Sequence, residues 1–131
     1  MISIDTNIIV RLLTKDDASQ YQQVYKLFDT HTIFITDTVI LETEWVLRFA
    51  YDYKVEEIAS AFTLLLGLEN VKVNYPERLA QAITWHKQGL DFADALHLAN
   101  SQHCKKLYTF DKKMITKAKH LEGSKVLAPD L

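Results

Sequence analysis

Residues 1–7 read Met1-Ile2-Ser3-Ile4-Asp5-Thr6-Asn7 (MISIDTN), a short apolar run that stops on a carboxylate. Ile2 to Ile4 has the make-up of a strand. The apolar spacing from Asn7 to Leu13 is that of a short helix, so the acid falls at a strand-to-helix turn. Whether this pattern recurs decides the fold class.

It does recur along the chain. Tyr21, Val24, Tyr25 and Phe28, three and four residues apart, predict a second helix over Asp16–Asp29. Thr32–Thr36 is a β-branched and aromatic run, hence a second strand. Helices are expected at Asp37–Tyr51 and Val55–Leu66, with a weak strand at Val71–Val73. Pro76 suits the first turn of a fifth helix that ends near Gly89. Asp91–Cys104 reads as a sixth helix and Leu107–Thr109 as a strand, followed by a short helix after Asp111 and an edge strand at Val126–Ala128. Strands separated by helices imply an α/β fold whose parallel sheet is covered on both faces. Such sheets bind ligands at the carboxyl ends of their strands.

The composition agrees with one compact domain spanning residues 1–131. The chain is 48% apolar and 11% aromatic, with three Gly and two Pro, and shows no linker, repeat or low-complexity tract. The single Cys104 excludes an internal disulfide and an all-Cys zinc site. No apolar run is long enough to span a bilayer and no secretory pattern opens the chain, so a cytoplasmic location is expected. The net charge of −2 argues against nucleic acid as a ligand until its distribution is considered. From Lys105 to Lys125, seven lysines (Lys105, Lys106, Lys112, Lys113, Lys117, Lys119 and Lys125) face only Asp111 and Glu122, leaving that stretch at +5. A solvated helix face explains this as simply as a phosphate track does.

Four acids stand at positions that the sheet-edge rule makes interesting. Asp5 follows the first strand, and Asp111 follows Leu107–Thr109 with one residue between; each also suits an N-cap. In TDTVILETEWVLRFAY, Glu44 has Arg48 four residues on and reads as an exposed pair. Glu42 has Val39, Trp45, Val46 and Phe49 among its helical neighbours, and a carboxylate in an apolar stripe calls for a cation. In GLDFADALHLAN, Asp91 can cap a helix with Asp94 at its third position, where the helix dipole favours acids. His97, three residues after Asp94, reads as a satisfied and partly buried histidine.

Together, IDTNIIVRLL, VILETEWVL, GLDFADALHLAN and LYTFDKKM resemble, in order and over essentially the whole chain, the PIN-domain nucleases, most closely the VapC-like toxins of toxin–antitoxin pairs. The resemblance implies a three-layer α/β/α fold with a central parallel sheet of four to five strands. It matches Asp5, Glu42, Asp94 and Asp111 to the acidic positions of the family, with Thr6, Asn7 and Thr109 as small polar neighbours and Asp91 as a supporting cap. Four carboxylates in one site repel unless divalent cations join them, and oxygen-only donors select Mg²⁺ or Mn²⁺, one ion or two. Two ions would turn a formal −2 into +2, a charge that attracts a polyanion.

The resemblance therefore implies an endoribonuclease acting on single-stranded or looped RNA, of the translation-related class such as tRNA or rRNA, with Lys105, Lys106, Lys112, Lys113 and Lys117 along the phosphate track. It also implies a homodimer and a small antitoxin, whose contacts Tyr21, Tyr25, Trp45, Phe49 and Tyr53 could supply if they are not core. Three alternatives compete. A haloacid-dehalogenase-like phosphatase needs a second Asp where Asn7 stands. Metal-free cleavage would use His86, His97 or His120, and a non-catalytic PIN-type module would bind RNA without cutting it.

Overall fold

The computed structural model describes residues 1–123 and 125–130. In chain order these form β1 (Ile2–Ser3), α1 (Thr6–Thr14), α2 (Ala18–Thr30), β2 (Ile33–Phe34), α3 (Asp37–Ala50), α4 (Val55–Leu66) and β3 (Val71–Lys72). They continue with α5 (Pro76–Lys87), α6 (Phe92–Ala99), β4 (Leu107–Tyr108), α7 (Lys112–Ala118) and β5 (Val126–Leu127). The alternation of strand and helix is as expected. The chain divides into two compact units, Met1–Pro76 and Glu77–Leu131, each described by itself.

In the first unit, β1, β2 and β3 pair side by side in parallel, with Ile2 opposite Ile33 and Ile33 opposite Val71. Ile33 and Ile35 are fully buried, and the helices supply the rest of this core. α4 turns Ile58, Ala59, Phe62 and Leu65 inward, a three- and four-residue spacing that makes one apolar stripe. The Asn70 side chain donates to the carbonyls of Phe28 and His31, tying the entry of β3 to the end of α2.

A polar clasp joins three helices of this unit. Asp16, between α1 and α2, accepts from Arg11 at 3.0 Å and from the Tyr51 hydroxyl at 2.6 Å, while Arg11 also donates to Tyr51 at 3.2 Å and to Gln20. The Tyr51 and Thr14 hydroxyls hold the Asp16 carboxyl below its ordinary value, aided by the Arg11 charge. A depressed carboxyl contributes stability above its unfolded pKa and loses it as pH falls through the folded one. Tyr51→Phe is therefore expected to lower the melting temperature at neutral pH, with the gap closing in acid; an equal loss at both pH values would exclude the clasp as its cause.

In the second unit, Pro76 opens α5 as expected, and α5 buries Leu79, Ala82, Ile83, Trp85 and His86. Gly89, at a φ of 111°, makes the turn into α6 in a conformation that other residues rarely adopt. β4 and β5 pair in parallel, Leu107 opposite Val126 and Tyr108 opposite Leu127.

Two expectations need correction. The described strands pair in parallel as a three-stranded set in the first unit and a two-stranded set in the second. Each ladder is only two residues long, so apolar runs of three to five residues overstate the paired length. The sixth helix stops at Ala99, not Cys104. Beyond it the Ser101 hydroxyl and the Gln102 amide bond back to the carbonyls of His97 and Leu98, competing with continued helix as such residues do.

Candidate functional site

Three of the acids singled out in the sequence are helix caps. Asp5, two residues past β1, has extended backbone and accepts from the Ile8 amide at 3.3 Å. Asp91 accepts from the Asp94 amide at 3.3 Å, and Asp111 from the Met114 amide at 3.1 Å. Capping places each carboxylate at the N-terminal end of the helix that follows it. A cap occupies one oxygen and does not preclude a second role.

In the first unit, Asp5, Asn7 and Glu42 are exposed. The Thr6 hydroxyl, next to Asp5, is buried and has no hydrogen-bond partner among the described residues. Such an atom costs about 1–3 kcal/mol and calls for an explanation beyond packing.

The two glutamates of α3 exchange the environments that the sequence suggested. Glu44 is fully buried and receives two bonds from Arg48, at 2.8 and 3.0 Å, so the pair is not an exposed one. Glu42 stands on the exposed side, because the buried stripe of α3 is Ile40, Thr43, Glu44 and Leu47. Its neighbours Trp45 and Phe49 are themselves exposed. Of the other aromatic residues considered for the core, Tyr25 is 54% exposed and Tyr21 and Tyr53 are half-buried.

In the second unit the acids act on one another. The Asp94 carboxyl is pushed above its ordinary value, first by burial and then by the charges of Asp91 and Asp111, while His97 and Lys117 pull it down. Thr109 holds the turn between β4 and α7, its hydroxyl accepting from the Asp111 amide at 3.0 Å. His97 is exposed, contrary to expectation. The buried histidine is His86, which meets the Phe92 ring edge-on at 5.4 Å. Lys105, Lys106, Lys112, Lys113 and Lys117 are all exposed.

The structure thus brings Asp91, Asp94 and Asp111 into one electrostatic neighbourhood. Among the described residues, no group of three or more His, Cys, Asp or Glu side chains is arranged to hold a metal ion. The fit to a cation is one of donor chemistry: carboxylate oxygens suit hard ions, and the repulsion that raises Asp94 is what a divalent cation relieves. No described helix is long and apolar enough to cross a membrane.

Comparison with known proteins agrees with this chemistry. No curated protein and no solved structure matches the chain. The profile of the PIN domain matches residues 2–120, a span that includes Asp5, Glu42, Asp94 and Asp111 and crosses both units. The chain therefore belongs to the PIN-domain family, a three-layer α/β/α fold whose members are generally Mg²⁺-dependent nucleases.

Proposed function

We propose that this chain is a metal-dependent endoribonuclease, the VapC-like toxin of a toxin–antitoxin pair, and that its two units make one PIN domain. The match of the PIN profile over residues 2–120 carries this reading. In it, Asp5, Glu42, Asp94 and Asp111 bind one or two Mg²⁺ or Mn²⁺ ions, with Thr6, Asn7, Asp91 and Thr109 supporting them. The bound ion would polarise the phosphate and lower the pKa of an attacking water. Proton and ion compete for the Asp94 carboxyl, which burial and the neighbouring acids raise, so metal affinity rises with pH through that carboxyl's range. Lys105, Lys106, Lys112, Lys113 and Lys117 attract and orient the RNA backbone. The substrate is tRNA or rRNA, the protein acts in the cytoplasm as a homodimer, and a small antitoxin covers the acidic edge.

Purified protein incubated with total RNA is expected to cut in Mg²⁺ or Mn²⁺ and to stop in EDTA. Mn²⁺ at a hundred times its dissociation constant should stabilise the fold by about 2.7 kcal/mol in thermal denaturation. Cleavage that survives EDTA and leaves cyclic phosphate ends would transfer the chemistry to His86, His97 or His120. Binding to RNA without cleavage under any ion would leave a PIN module that only binds.

A further inference from the structure

Beside Asp111 stands a side chain that neither packing nor capping explains. Phe110 is 84% exposed, and Tyr108, two residues before it, is 57% exposed, while Leu107 and Thr109 are half-buried. Phe110 directly precedes the N-cap Asp111, the place from which a hydrophobic residue ordinarily packs back on its helix. At 84% exposure it does not pack in this way. Leaving a phenylalanine in water forfeits most of what its burial would contribute, yet the backbone around it is fixed. The Asp111 amide is bonded to Thr109, the Met114 amide to Asp111, and the Thr109 amide to the Leu127 carbonyl. Phe110 is held out on an ordered turn.

The surroundings say what such rings would meet. Lys106, Lys112 and Lys113 are exposed within four residues of Phe110 on the chain, in the stretch that carries a local charge of +5. An apolar protein surface gains little from that density of exposed lysines. A single nucleic-acid strand supplies both complements, phosphates for the lysines and base faces for the rings. In a duplex the base faces are stacked on one another and closed to side chains.

We propose that Phe110, with Tyr108 beside it, is a stacking platform for unpaired bases of the RNA, placing the strand next to Asp111. This rests on the nuclease reading, whose substrate is single-stranded or looped RNA, and adds to it a grip on an unpaired base beside the site. It makes Phe110 a substrate-positioning residue with no part in the chemistry.

The test measures binding of the full chain to a fluorescent single-stranded oligouridylate by anisotropy, with Ca²⁺ as the only divalent ion. Base-to-aromatic stacking implies that Phe110→Ala weakens binding about tenfold, while Phe110→Trp retains it and shows quenched fluorescence on saturation. The same oligonucleotide with an abasic site should bind the unaltered chain more weakly and Phe110→Ala equally well. Unchanged affinity in Phe110→Ala, or indifference of the unaltered chain to base removal, overturns the proposal. Base-dependent binding without cleavage in Mg²⁺ or Mn²⁺ would refute the nuclease reading and leave the platform standing, so the two failures are distinguishable.

Discussion

Asp94→Asn is expected to abolish cleavage while making the metal-free protein more stable. Loss of a partner behind a metal ligand typically costs about 10–100-fold in affinity or activity, and loss of a ligand itself should exceed that. The stability effect has the opposite sign. Burial and the charges of Asp91 and Asp111 raise the Asp94 carboxyl in the fold, so the unfolded chain gives up that proton more readily. Stability is therefore lost as pH climbs from the unfolded pKa through the raised folded one. An amide at this position carries no such penalty. Thermal denaturation in EDTA at pH values from about 3, below the unfolded carboxyl range, up to about 8 should show the variant gaining on the unaltered protein as pH rises. A variant that is inactive and also less stable throughout would mean that Asp94 is structural.

Arg48→Met is expected to destabilise the first unit strongly. Glu44 is fully buried on α3 and takes two bonds from the Arg48 guanidinium, which is itself 35% exposed. Removing the cation takes both of these bonds from a buried carboxylate, and breaking a buried pair in this way costs about 3–5 kcal/mol. Arg48→Lys preserves the charge and loses the paired geometry, so chemical denaturation should place it between the two. Glu44→Gln is the milder disruption, because Arg48 can turn to solvent. If Arg48→Met costs less than about 1 kcal/mol, the pair is worth no more than an exposed one.

The same pair shows how far the sequence was legible. Strand–helix alternation, the caps at Asp5, Asp91 and Asp111 and the bounds of α4 were all readable, because each depends on neighbours within a turn. The environments of Glu42 and Glu44 were not read correctly, although the information was present. Ile40, Thr43, Glu44 and Leu47 stand at the spacing of one helix face, but Trp45 and Phe49 drew the apolar stripe to the wrong side. Hydrophobicity identified a face, and exposure of Phe49 at 76% shows that it was not the core-facing one. His97 was misplaced for a related reason: a histidine beside an acid looks satisfied, whereas burial is decided by the rest of its helix, and His97 is exposed. Phe110 was invisible as a surface ring, since nothing local distinguishes it from a residue completing the apolar run of Leu107–Thr109.

The cap bonds have a further consequence for recognition. Asp5 and Asp111 each have one oxygen bound to a backbone amide of the helix that follows. A carboxylate tethered by one oxygen has already given up most of its rotational freedom in folding, so engaging the other oxygen costs little additional entropy. Each helix start thus holds its own carboxylate already aimed, and losing a cap would free that carboxylate as well as the helix end.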